Sequence, residues 1–240
     1  MDIRNQRVVI LGGTSGIGLA TARLLAESGA EVIVASRSQE NVARATERGP
    51  IRGEVVNAAS AEDLRDFYSR IGSFDHLVLS LASNIGAGEF RTLDLDMLRQ
   101  GFETKFWPYL LAVQTGLDFL RKDGSLTFVT AVTAHTAFAG AAGFGAVNGA
   151  LEAIVPTLAL ELQPLRVNAV SPGGIATPFW KDLPEDAREA FFAQSAAITP
   201  VKRFGQPEDV AEVIAMLIGN TFLTSTIIDC DGGARIRASW

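Results

Sequence analysis

Seven consecutive residues, Gly12-Gly13-Thr14-Ser15-Gly16-Ile17-Gly18, carry the clearest chemistry in the chain. Glycine adopts positive φ and has no Cβ, so a ligand can approach such a backbone closely. Val8-Val9-Ile10-Leu11 before the loop reads as a buried strand, and a helix is expected from Gly16 to about Ser28. The first turn of a helix presents unpaired N–H groups and the positive end of its dipole. Strand, glycine turn and helix together predict a cradle for a pyrophosphate-sized anion.

The chain that must position this loop has 240 residues, long enough for a sizeable core. Its 48% hydrophobic content fits an α/β protein whose sheet is covered on both faces. A net charge of −6 with interspersed signs argues against a nucleic-acid surface. Asp2-Ile3-Arg4-Asn5-Gln6-Arg7 has no apolar leader core, and no run of about 18 apolar residues predicts a membrane span. The single cysteine, Cys230, excludes an internal disulfide and points to no metal cluster. A reducing cytoplasm is the expected location.

Further strands are expected at Glu31–Ser36, Gly53–Val56, Leu77–Leu79, Ser125–Thr130, Arg166–Val170 and Ile227–Asp229. Helices are expected at Gln39–Arg48, after Ser60-Ala61-Glu62-Asp63, at Leu95–Leu120, Phe144–Leu162 and Glu185–Gln194, and from Pro207 onward. Alternating strands and helices imply right-handed crossovers and a parallel sheet. No linker or repeat divides the sequence. The expected fold is α/β, a single doubly wound Rossmann-type domain over residues 1–240. Its seven-stranded parallel sheet is flanked by helices, with ligand at the carboxyl ends of the strands.

The sequence resembles the short-chain dehydrogenase/reductase family over essentially its whole length. Gly12–Gly18 is similar to the family's TGxxxGxG, and Arg166-Val167-Asn168-Ala169-Val170-Ser171-Pro172-Gly173 to its stretch around strand six. Arg203-Phe204-Gly205-Gln206-Pro207-Glu208-Asp209-Val210-Ala211 resembles its last-helix entry, and Asp231-Gly232-Gly233 its final strand exit. The resemblance implies a nicotinamide dinucleotide cofactor and hydride transfer between it and a small carbonyl or alcohol. It also implies a homotetramer or homodimer, assembled through the Leu95–Leu120 and Phe144–Leu162 helices.

Ser36 and Arg37 end the second strand where an acidic residue would favour NAD. Serine does not repel a 2′-phosphate and arginine offers it a fork of donors, which predicts NADP(H). Asn57 and Ala58 fall at the family's adenine position, Ile175 and Thr177 near the carboxamide and phosphates. Leu79-Ser80-Leu81-Ala82 stands where relatives carry Asn-Asn-Ala-Gly, with Leu81 and Ala82 flooring the cofactor. Leu11 replaces a threonine, and an apolar contact between the two altered segments is expected.

The family's catalytic pattern is a serine, Tyr-x-x-x-Lys and an asparagine on the preceding long helix. In register, those positions hold Ala131, Phe144, Asn148 and Lys105. Lysine and asparagine thus stand exchanged, so Lys105 is expected to point into the pocket as the catalytic residue, with Asn148 as a cofactor contact. Thr130 and Thr133 flank the vacant serine position and offer hydroxyls; His135 and Tyr109 are weaker candidates, Tyr109 being expected in the core. The sequence therefore predicts an NADP(H)-binding oxidoreductase acting on a small, apolar carbonyl or alcohol, with an atypical site and a lid at 179–206. A non-catalytic NADP(H)-binding sensor and a non-redox lyase or isomerase are the alternatives.

Overall fold

Successive residues of a strand face opposite sides of the sheet, and in this chain both sides are apolar. Val9 and Leu11 join Ile33, Leu77, Leu79, Phe128 and Val167 in one core cluster. Val8 and Ile10 join Val32, Val34, Val78 and Val170 in the other. A sheet with that pattern is stable only when helices cover both faces. The computed structural model describes residues 3–47 and 49–236. Outside them lie residues 1–2, which open the segment read for a leader, and Arg48, the expected end of the second helix.

The seven strands are β1 (Arg7–Leu11), β2 (Glu31–Ser36), β3 (Ile51–Val55), β4 (Phe74–Leu79), β5 (Leu120–Val129), β6 (Arg166–Pro172) and β7 (Ile227–Cys230). They form one parallel sheet in the order β3-β2-β1-β4-β5-β6-β7. The helices are α1 (Gly16–Glu27), α2 (Gln39–Thr46), α3 (Ala61–Ile71), α4 (Leu95–Gly101), α5 (Trp107–Gly116), α6 (Ala142–Glu161), α7 (Glu185–Ile198) and α8 (Pro207–Gly219). Leu64, Phe67, Tyr109, Ala112, Leu151 and Val155 of α3, α5 and α6 cover one face. Ala22, Leu25, Val210, Ile214 and Leu217 of α1 and α8 cover the other. The expected doubly wound sheet is present.

Capping residues set the helix starts. Ser38 and Ser60 accept from the backbone N–H of Asn41 and Asp63 at 3.2 Å each. Asp209 accepts from the Gln206 backbone N–H at 2.7 Å while Pro207 opens α8. Arg166 seals the other end of α8, donating to the carbonyls of Leu217 and Ile218 at 2.7 Å.

Several boundaries depart from expectation. β3 starts at Ile51, which pairs with Val32 of β2, and Gly53 lies within the strand where Val42 and Thr46 of α2 pack closely. β5 starts at Leu120, not Ser125: Leu120 pairs with Phe74, and an irregularity before His76 absorbs the polar residues between. The expected single helix from Leu95 to Leu120 runs unbroken through a π-helical turn, Phe102–Phe106, and ends at Gly116. The helix α6 is long and apolar enough to cross a membrane by length and composition, contrary to the sequence expectation. In the structure it buries Val147, Asn148, Leu151, Glu152 and Val155 against protein.

At the amino ends of the strands, His76 is buried between Ser125 Oγ (2.8 Å) and Gln6 Oε1 (2.9 Å). Burial, with help from Arg166 and against Asp75 and Asp123, lowers its pKa from 6.5 to about 4. The folded protein thus resists a proton that the unfolded chain accepts. Stability is expected to fall by about 3 kcal/mol as pH drops through that window. Urea denaturation of the wild type and His76→Gln at several pH values checks this. An equal pH dependence in both proteins would refute it.

Candidate active site

The glycine loop leaves β1 at the carboxyl edge of the sheet. Gly12 has φ +83°, and a Cβ there would lie 2.5 Å from the Ser80 carbonyl oxygen. Gly16 has φ +51° and packs against Thr177. Ser15 is the extended N-cap of α1, but its side chain makes no capping bond to the first turn. The first-turn N–H groups and the helix dipole therefore face a cleft of about 1550 Å³. Gly12, Thr14, Ser15, Gly16 and Ile17 line that cleft; Gly18 does not. A Cβ on Gly18 would stand 2.3 Å from the Gly12 carbonyl oxygen, so this glycine permits helix-to-loop packing instead of ligand contact.

One end of the cleft is basic and polar. Ser36 and Arg37, from the end of β2, line it together with Asn57 and Ala58 after β3. Asn41 and Arg44 of α2 line it as well, Arg44 donating to Asn41 Oδ1 at 2.6 Å. Asn57 uses its own Oδ1 on the Ala59 N–H (3.2 Å), leaving its amide N–H groups for a ligand. This end suits a phosphorylated ribose and an adenine edge, and the glycine cradle suits a pyrophosphate. The residues present thus fit a phosphorylated dinucleotide.

The other end holds the reactive groups. Lys105 sits on the π-helical turn, a distortion frequent at functional sites. It is only 8% exposed, and its Nζ donates to Asn148 Oδ1 at 2.8 Å. Nζ also lies 5.7 Å from the centre of the Tyr109 ring. Burial lowers the Lys105 pKa to about 8, partly opposed by the negative charge of Glu152. The Asn148 amide donates to the Phe144 carbonyl at 2.9 Å and reaches Thr133 Oγ1 at 3.5 Å. Lys105, Asn148, Ala131, Thr133 and Phe144 all line the cleft.

Tyr109 does not. Its buried hydroxyl donates toward the carbonyls of Val129 (2.9 Å) and Leu81 (3.2 Å), and burial pushes its pKa upward. His135 does not line the cleft either. Its Nδ1 lies 3.2 Å from Glu152 Oε2 and its Nε2 2.9 Å from Asp229 Oδ1. Glu152 is a buried hub that also accepts from Thr130 (2.7 Å) and Ser171 (2.8 Å). Leu81, Ala82, Ile175 and Thr177 line the cleft, while Leu11 and Leu79 share one core cluster with Leu81 packed against it.

Above this end, the 179–206 segment contributes Phe179, Trp180 and Phe191 to the lining. Trp180 is anchored by its Nε1–H on the Ile175 carbonyl at 2.8 Å. Phe192 and Phe204 stack at 4.2 Å behind it.

Sequence reasoning brought together Lys105 and Asn148 but missed Asn41, Arg44 and Glu152. Asn41 and Arg44 are spaced i, i+3 on α2, the signature of one helical face, while Arg37 precedes the helix. Glu152 interrupts an apolar run, Leu151 to Val155, which was its only signal.

Comparisons with known proteins agree with the fold. A family model described as Enoyl-(Acyl carrier protein) reductase matches residues 12–235. The chain is 32% identical to Dehydrogenase/reductase SDR family member 4 of Oryctolagus cuniculus, over 98% of this chain and 95% of that protein. It is 28% identical to the 3-oxoacyl-(acyl-carrier-protein) reductase FabG of Thermotoga maritima, over 97% and 99% respectively. A crystal structure of a small-chain dehydrogenase in complex with NADPH matches with a TM-score of 0.85 and 30% identity, covering 97% of this chain and 99% of the other.

Proposed function

The chain belongs to the short-chain dehydrogenase/reductase family, and on that premise we propose that it is an NADP(H)-dependent oxidoreductase of small apolar carbonyls or alcohols whose proton chemistry rests on Lys105. The observation that carries this reading is the buried Lys105 ammonium, held 2.8 Å from Asn148 Oδ1 in the wall of the cleft. NADP(H), when bound, supplies or accepts the hydride.

The backbone of Gly12–Ile17 binds the pyrophosphate, Arg37 and Arg44 bind the 2′-phosphate, and Asn57 meets the adenine. Ile175 and Thr177 flank the nicotinamide end. Phe144 and Ala131 offer no ionisable proton, so the site is atypical for its family. Lys105 takes the proton-handling role from the opposite helix. A group titrating near 8 is well matched to give or take a proton at neutral pH. The aromatic 179–206 segment lines the cleft beside that exchange.

Two assays test the reading. NADPH is expected to bind with a change in its fluorescence, and no binding would refute the dinucleotide assignment. NADPH oxidation with a carbonyl panel is expected to slow as pH rises through about 8, where Lys105 loses its proton. Alcohol oxidation should show the opposite trend. The absence of hydroxyls at Phe144 and Ala131 favours a second reading, a non-catalytic NADP(H) sensor. Binding without turnover on any carbonyl would select it. The exposed Leu95, Met97, Trp107 and Leu160 on α4, α5 and α6 support a homo-oligomer, which light scattering would detect.

A further inference from the structure

The wall between Val129 and Thr133 carries two hydroxyls, and the structure distinguishes one already committed from one able to donate. Thr130 is buried, and its Oγ1 lies 2.7 Å from Glu152 Oε1 and 3.1 Å from the Val170 carbonyl. Its single proton is taken by one of these acceptors. Thr133 differs. The Asn148 side chain is fixed at both ends, Oδ1 facing the Lys105 ammonium at 2.8 Å and Nδ2 the Phe144 carbonyl at 2.9 Å.

A reversed amide would set N–H against ammonium and oxygen against oxygen, so the orientation is determined by charge. Nδ2 therefore also faces Thr133 Oγ1, at 3.5 Å, and the threonine oxygen accepts. Its own proton is left for a ligand in the cleft that Thr133 lines.

The same cleft carries an aromatic face. The Phe144 ring meets Phe179 at 6.2 Å, Phe179 meets Trp180 at 4.9 Å, and Trp180 meets Phe191 at 4.8 Å. All four line the same cleft. The helix α7, which carries Phe191, has no buried residue, and Phe191 remains 38% exposed. The first two pairs meet edge to face and the third is tilted, and such a run of rings matches a planar ring better than a flexible chain.

We infer that the Thr133 hydroxyl donates to the oxygen of a ring-bearing ketone or aldehyde whose ring lies on the Phe144–Phe179–Trp180–Phe191 face. The inference rests on the carbonyl chemistry proposed above and deepens it, naming the group that holds the oxygen and the class of substrate.

Acetophenone carrying ¹³C at its carbonyl is the probe, titrated calorimetrically into the full-length protein with and without NADP⁺. NADPH fluorescence is measured separately, so failure of dinucleotide binding is seen on its own. Thr133→Val is expected to weaken acetophenone binding about three- to tenfold, the loss of one neutral hydrogen bond. It should also abolish the shift of the bound carbonyl stretch to lower wavenumber in infrared difference spectra. Thr133→Ser should keep both, and neither variant should alter NADPH titration or the melting midpoint. An unchanged affinity and stretch in Thr133→Val would overturn the inference. So would wild-type protein that fails to bind acetophenone, or that binds hexan-2-one equally well.

Discussion

Replacing Lys105 with Met is expected to stabilise the dinucleotide-free protein while cutting carbonyl reduction by about 10²–10⁴-fold. The stability effect follows from the lysine pKa, lowered from 10.5 to about 8 in the folded state by burial. Holding that ammonium in place at neutral pH costs about 3 kcal/mol. Methionine fills a similar volume without charge, but strands Asn148 Oδ1, which takes back about 1–2 kcal/mol. The net gain is about 1–2 kcal/mol.

The sign has its own signature in pH. Between 8 and 10.5 the unfolded chain holds a proton that the folded one has released, so wild-type stability rises relative to the variant across that interval. Chemical denaturation of both proteins across this range, beside NADPH oxidation, measures the two effects together. A variant that is less stable at neutral pH, or as active as the wild type, would contradict the role given to Lys105.

The second large effect is expected at the opposite end of the cleft. Arg37→Ala combined with Arg44→Ala should weaken NADPH by on the order of 10²-fold and leave NADH nearly untouched. Both guanidiniums line the cleft beside Ser36, and among the described residues no carboxylate lines that end to repel a phosphate. Arg44 also has Glu40 at 3.8 Å, which shares its charge and makes Arg37 the stronger contributor. Because both arginines meet solvent, the NADPH preference should shrink with added salt in the wild type and vary little with salt in the double variant. Parallel NADPH and NADH titrations at two ionic strengths test this. Equal losses for the two nucleotides would place the 2′-phosphate elsewhere.

The alternation of apolar strands and amphipathic helices made the sheet legible, since each strand had to bury both faces. The glycine cradle was legible because its backbone requirements are local. Lys105 was legible only as one half of an exchange with Asn148; its turn of π-helix and its burial depend on how α4 and α5 pack.

Arg44 escaped notice because proximity to Arg37 arises only once α2 folds beside β2. The start of β5 was obscured by Arg121, Lys122 and Asp123, polar residues that read as loop. In the structure Arg121 pairs with Asp75 at 3.2 Å, so those charges extend the strand end instead of terminating it. His135 read as a loop histidine because neither Glu152 nor Asp229 is near it in sequence. Gly18 shows the reverse error: a residue of the motif whose work is packing.

The π-helical turn also decides the direction in which Lys105 points. One additional residue in a helical turn rotates everything beyond it by about 100°, given 3.6 residues per turn. Regularising the turn would therefore swing α5 about its axis relative to α4, and Lys105 would lose its place opposite Asn148. A contact between two helices, 2.8 Å long, is thus set by the winding of a single turn.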